Sequence, residues 1–158
     1  MRDKKYISVC CAATPSERES RLAFEVGREI ARQGAVLVCG GLGGSMEAAC
    51  RGAKEEGGIT IGIIPTYDKG DANCWVDIVI PTGLGHARNN LVVATGDAVI
   101  GVGGGWGTLS ELSIAVKMGK PVVVLDGWSV TSPQEGLSGF IKASSPKQAV
   151  VTALAAIQ

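Results

Sequence analysis

Helical patterns in this chain end in glycine within three residues of an apolar run, and this happens four times. Gly34 precedes Ala35–Cys39, Gly57 precedes Ile59–Ile64, Gly96 precedes the run into Gly103, and Gly119 precedes Pro121–Leu125. Glycine stops a helix because it takes the left-handed conformation without steric cost. The runs that follow are continuously apolar, so both of their faces must be buried. Such strands, alternating with helices, imply a parallel sheet covered on both sides. The expected fold is α/β: a Rossmann-like three-layer sandwich with a parallel sheet and helices on both faces. The 158 residues suit a single nucleotide- or phosphate-binding domain over 1–158. Its crossovers should be right-handed and its ligand should sit beyond the strand C-termini.

Lys5–Ala13 reads as the first strand. Thr14-Pro15-Ser16-Glu17 then opens a helix, with Thr14 as N-cap and Pro15 at the first helical position. Leu22, Val26 and Ile30 recur at four-residue spacing, the mark of one buried face. The helix after Ala35–Cys39 turns Met46, Ala49, Cys50 and Ala53 inward. Tyr67–Trp75 reads as an exposed loop and Val76–Ile80 as a strand. A helix runs from about His86 to Thr95, and another follows Thr108. Asp126–Gly139 is irregular, and Phe140–Ala143 is a short last strand. Ser145-Pro146-Lys147-Gln148 is a capping box before a final helix with Val150, Val151, Leu154 and Ile157.

Composition removes several function classes. Lys and Arg number 15, as do Asp and Glu, and no basic stripe stands out, so neither nucleic acid nor an anionic membrane is an expected partner. The five cysteines, Cys10, Cys11, Cys39, Cys50 and Cys74, form no C-x-x-C pair, and His86 is the single histidine. Reduced, buried thiols in a cytoplasmic protein are therefore expected, with no metal site. The stretch Met1–Lys5 leads into a short strand, and no apolar run approaches the ~18 residues of a membrane span.

Gly103-Gly104-Gly105-Trp106-Gly107-Thr108-Leu109-Ser110-Glu111 lies between a strand and a helix. A glycine loop there admits close approach, and the helix start adds unpaired N–H groups and positive potential, which suits a phosphate. No Gly-Lys-Ser/Thr follows, and G-x-G-x-x-G is not found in the chain, so neither the Walker nor the dinucleotide pattern applies. Gly40-Gly41-Leu42-Gly43-Gly44-Ser45-Met46 is a second such loop.

Taken with Gly85-His86-Ala87-Arg88-Asn89-Asn90, these two loops resemble the motifs of the LOG ("lonely guy") superfamily. Met46–Gly58 with Ile59-Thr60-Ile61-Gly62, and Thr82-Gly83-Leu84-Gly85, are similar to its molybdenum cofactor carrier-like branch. The resemblance runs from about Tyr6 to Leu125. It implies a phosphoribohydrolase that cleaves the N-glycosidic bond of a nucleoside 5′-monophosphate, with no required cofactor, acting as a homodimer or homotetramer. Arg88 and Glu111, 23 residues apart as in the family, match its catalytic pair. Cleavage builds positive charge on the ribose, which a carboxylate stabilises, while a guanidinium holds phosphate or ribose oxygens.

By the same resemblance, Gly104, Gly105, Trp106, Gly107 and Thr108 join Gly40, Gly41, Gly43, Gly44, Ser45, Met46 and Asn89 as phosphate or ligand contacts. Where the family has lysine and glutamate after the arginine, this chain has Asn89 and Asn90, and its loop begins Gly103-Gly104-Gly105 rather than Pro-Gly-Gly. Those departures leave a second reading open: a carrier or sensor that binds molybdenum cofactor, or another phosphorylated ligand, without turnover. Glu111 also has a structural alternative, since Thr108-Leu109-Ser110-Glu111 is a capping-box pattern. Trp75 and Trp106 are candidates to stack on a base, while Cys10 and Cys11 end a strand near the expected cleft. Lysine decarboxylation, a label the superfamily often carries, is rejected: it needs a Schiff-base lysine, and no lysine falls in the three motifs.

Overall fold

The strands β1 (Tyr6–Cys11), β2 (Val36–Cys39), β3 (Ile59–Ile64), β4 (Ile78–Pro81), β5 (Ala98–Val102), β6 (Val122–Leu125) and β7 (Ile141–Ala143) form one parallel sheet. Their order is β4-β3-β2-β1-β5-β6-β7. The computed structural model describes residues 3–134 and 139–158. Of the irregular stretch expected over Asp126–Gly139, residues 135–138 lie outside the described residues, as do Met1 and Arg2 of Met1–Lys5; residues 126–134 carry no regular element. Among the described residues no helix is long and apolar enough to cross a membrane.

Helices α1 (Glu17–Arg32), α2 (Ser45–Glu55) and α5 (Pro146–Ala155) cover one face, and α3 (Asn89–Thr95) and α4 (Trp106–Lys117) cover the other. The two-residue period of a strand divides the core accordingly. Ile7, Val9, Leu37, Ile100 and Val123 meet α1, α2 and α5, while Cys10, Val36, Val38, Val99 and Val124 meet α3 and α4. The three-layer parallel α/β architecture expected from the helix–glycine–strand pattern is the one observed.

Local boundaries differ from expectation in informative ways. The α1 N-cap is Ser16, not Thr14. Both Thr14-x-x-Glu17 and Ser16-x-x-Glu19 have capping-box spacing, and the second forms: Glu19 N–H donates to Ser16 Oγ (3.2 Å) and Ser16 N–H to Glu19 Oε2 (2.8 Å). β1 stops at Cys11 because Ala12 leaves the ladder, its carbonyl accepting from Ser45 N–H of α2 (3.0 Å). The helix expected from His86 begins as a short 3₁₀ turn, Gly85–Arg88, before α3. Ser145 caps α5, but Gln148 returns its oxygen to Ser144 N–H rather than to Ser145.

α1 and α2 approach until their backbones touch, at Gly27 and Gly52. A Cβ on Gly27 would lie 1.9 Å from the Ala49 carbonyl oxygen, and one on Gly52 would lie 2.0 Å from that of Phe24. Alanine in a helix interior ordinarily stabilises by about 1 kcal/mol over glycine. Here the sign reverses, since neither obstacle is a side chain that can turn away. Gly27→Ala and Gly52→Ala are each expected to cost a net ~2 kcal/mol, lowering Tm by roughly 4–8 °C for a chain of this size. Thermal unfolding followed by circular dichroism checks this, and an unchanged or raised Tm would remove the close contact.

Candidate active site

The order of strand addition reverses at β1. From it the chain runs through α1 to β2 on one side, while β5 on the other side leads through α4 to β6. Such a switch point opens a crevice beyond the strand C-termini. A cavity of about 500 Å³ lies there, lined by the end of β1 (Cys10 to Ala13), Leu42, Met46, Pro65, Gly85, His86, Arg88, Asn89, Gly107, Thr108 and Glu111. Arg88 and Glu111 thus meet in one cavity.

Arg88 closes the 3₁₀ turn after β4 and is only 9% exposed. Its Nη2 donates to the Gly40 carbonyl (3.3 Å), its Nη1 donates to Asn89 Oδ1, and its Nε has no partner. Gly40 is what lets the guanidinium lie there: a Cβ would come within 2.6 Å of Nη2 and 2.8 Å of Met46 Sδ. A buried guanidinium with an unused N–H, lining a cavity, is a ready donor for an anion.

Glu111 sits in the second turn of α4, buried, with the cavity before it. The helix begins at Trp106 with Gly105 as N-cap, so Thr108 is already inside it. The capping-box alternative for Glu111 therefore does not apply: the helix starts earlier than the turn that Thr108 would have opened. Burial raises the Glu111 carboxyl from its ordinary 4.5 to about 7, against the opposing pull of Arg88 and the Cys10 thiol. Burial also pushes the Cys10 and Cys11 thiols well up, and Glu111 adds to both. They line the cavity as neutral S–H groups.

The two glycine loops play different parts. In the first, Leu42 and Met46 face the cavity, while Gly40, Gly41 and Gly44 serve close packing. Gly41 (φ +72°) lies against Gly62, and Gly44 (φ +66°) lies against the Ala13 carbonyl, 2.2 Å from a Cβ. Gly43 is exposed with open space around it. Ser45 is wholly buried, its Oγ unpartnered, and it does not line the cavity.

In the second loop, Gly107 and Thr108 line the cavity from the first turn of α4, which no side chain caps. The N–H groups of such a turn have no intrahelical acceptor. Gly105 is the N-cap. Gly104 N–H is already taken, donating 2.9 Å to Glu19 Oε1. Trp106 is 78% exposed and packs on Trp128, with ring centroids 5.1 Å apart; neither it nor Trp75 lines the cavity.

Asn89 lines the cavity as the acceptor for Arg88, whereas Asn90 is exposed and His86 sits at the rim. Glu19 is the participant that motif reading passes over. The local pattern points to Thr14 and Glu17 for the capping box, and the Glu19 bond to Gly104 spans 85 positions. All five cysteines are free, four of them buried, and among the described residues no group of three or more His, Cys, Asp or Glu side chains is placed to hold a metal ion.

A model of the SLOG cluster4 family matches residues 4–151. The cytokinin riboside 5′-monophosphate phosphoribohydrolase of Mycobacterium tuberculosis is 38% identical over 132 residues, 77% of this chain and 71% of that protein. Among solved structures, the molybdenum cofactor binding protein of Rippkaea orientalis is 36% identical over the whole of both chains, with a TM-score of 0.89. The molybdenum cofactor carrier protein of Chlamydomonas reinhardtii is 33% identical, covering 97% of this chain and 98% of its own, with a TM-score of 0.83.

Proposed function

The chain belongs to the SLOG cluster4 family, a LOG-like family near the molybdenum cofactor carrier branch, and on that premise we propose that it hydrolyses a nucleoside 5′-monophosphate to free base and ribose 5-phosphate. In this reading the 5′-phosphate sits against the uncapped first turn of α4, at Gly107 and Thr108, and takes a hydrogen bond from Arg88. Glu111, as carboxylate, faces the ribose and stabilises the positive charge that grows as the N-glycosidic bond breaks; water completes the hydrolysis. The protein would work in the cytoplasm as a homodimer or homotetramer.

The observation that carries this reading is Glu111. A carboxylate held out of water beside an anion site opposes anion binding and is costly to ionise. A binding protein gains nothing from that arrangement. An enzyme does, because the same charge meets a cation only in the transition state.

A second reading is supported by the full-length likeness to the Rippkaea orientalis protein. In it the chain binds molybdenum cofactor as cargo, the cofactor's phosphate lying at α4 and Arg88, with no turnover.

Incubation with AMP, GMP, CMP and UMP, assayed for ribose 5-phosphate and free base, separates the two. Release from at least one is expected, and its rate should rise with pH through about 7 as Glu111 ionises. A rate that falls over that range would assign Glu111 to acid chemistry instead. Absence of release, with a phosphorylated pterin co-purifying, would favour the cargo reading.

A further inference from the structure

Glu19 stands on α1, outside the cavity, and its two carboxylate oxygens are divided between two tasks. Oε2 accepts from Ser16 N–H and completes the helix cap. The cap needs nothing more, yet Oε1 reaches the second glycine loop and accepts Gly104 N–H at 2.9 Å. The loop there has two consecutive left-handed glycines, Gly103 (φ +53°) and Gly104 (φ +94°). Gly103 lacks a Cβ where Glu19 needs room, since one would fall 2.1 Å from Oε1. Among the described residues the loop is also tied by Gly103 N–H to the Leu125 carbonyl (3.1 Å) and by the Gly105 carbonyl, which accepts from Leu109 N–H (3.1 Å) and from the Trp128 indole N–H (3.2 Å). Glu19 is therefore the side chain that holds the residue between them, immediately before the helix whose first turns carry Gly107, Thr108 and Glu111.

We propose that Glu19 is the positioning residue of this site: Oε1 fixes Gly104, and through it the direction in which α4 presents its first turn and Glu111 to the cavity. Glu19 touches no ligand. Its negative charge behind the loop also withdraws Gly104 N–H from the anion site, so the donors open to a phosphate begin after Gly104, at Gly105 and the first turn of α4. The consequence for ligand affinity rests on the phosphate-binding reading above, whereas the consequence for loop geometry does not.

The Trp106–Trp128 pair, at 5.1 Å and 43°, reports on this loop without a ligand, because one ring opens α4 and the other is bonded to Gly105. Two indoles so close couple excitonically, giving a circular dichroism couplet in the far ultraviolet; Trp128→Phe identifies which signal is theirs. Glu19→Ala is expected to remove most of that couplet and to weaken binding of AMP, GMP, CMP or UMP by about tenfold, the scale of a misplaced helix-terminus interaction. Ser16→Ala removes the cap hydroxyl and leaves Oε1 in place. It should lower Tm comparably while keeping couplet and affinity within about twofold of the parent. Glu19→Gln, which retains a carbonyl oxygen for Gly104, should recover the couplet.

A Glu19→Ala protein with couplet and affinity intact would overturn the assignment, as would equal losses in Ser16→Ala. Should the parent bind none of the four nucleotides, the nucleotide reading fails, and the couplet still decides the role of Glu19.

Discussion

Glu111→Gln is expected to lower ribose 5-phosphate release by about 10²–10³-fold, the range attached to a positioned acid–base or charge-stabilising group. Nucleotide affinity should stay the same or tighten, because the amide fills the same space without a negative charge beside the phosphate site. The substitution also has a signature in stability. The fold raises the Glu111 carboxyl from 4.5 to about 7, so the native state favours its neutral form. That preference costs nothing below pH 4.5, grows between 4.5 and about 7, and is complete above. Glutamine carries no such penalty. The variant should therefore gain Tm relative to the parent at pH 8 but not at pH 4. Paired melts at the two values, beside the product assay, test both halves. Hydrolysis that survives the substitution would remove Glu111 from the chemistry, and a pH-independent Tm difference would remove the burial argument.

Arg88→Met should abolish measurable nucleotide binding, a loss of about 10²-fold or more, since a charge-assisted hydrogen bond to phosphate contributes ~1.5–3 kcal/mol and the guanidinium has more than one donor to offer. Lysine should not restore it. The site is shaped for a planar fork that crosses Gly40 while Asn89 holds one end, and an ammonium cannot occupy both positions. Below about pH 7 stability should hardly suffer, because no carboxylate is hydrogen-bonded to this guanidinium; above it, the buried Glu111 carboxylate loses its opposing cation and Tm should fall relative to the parent. The Glu111 carboxyl, deprived of an opposing cation, should titrate higher still. Calorimetric titration with the nucleotide that the parent hydrolyses is the direct check. Undiminished affinity in Arg88→Met would move the phosphate elsewhere in the cavity.

The architecture could be read from the chain because it is written in local signals. Glycine after four of the helices, continuous apolar strands and two loops at strand ends require no knowledge of distant contacts. Arg88 and Glu111 were legible for another reason: a family pattern fixes their spacing, and the fold brings both to the mouth of β1. The first glycine loop carries packing that its composition does not show. It has the composition of a phosphate cradle, but Gly40, Gly41 and Gly44 are glycines because Arg88, Gly62 and Ala13 crowd them, and Ser45 is sealed beneath. Only tertiary packing distinguishes a glycine that admits a ligand from one that admits a neighbour. The choice of Ser16 over Thr14, and the second bond of Glu19, escaped for the same reason. A capping pattern is local, whereas the oxygen that reaches Gly104 depends on how α1 docks beside β5.

The strand order has a bearing on synthesis. β1 is made first and ends up central, flanked by β2 and by a strand, Ala98–Val102, that the ribosome delivers much later. Until that strand arrives, the growing chain can pair β1 through β4 and cover them with α1 and α2 on one side and α3 on the other, but one edge of β1 stays bare. An unpaired strand edge is a template for pairing with another chain. The nascent chain is thus open to misassociation until β5 is made, and the arrival of β5 ends that exposure in the same event that opens the crevice beside β1.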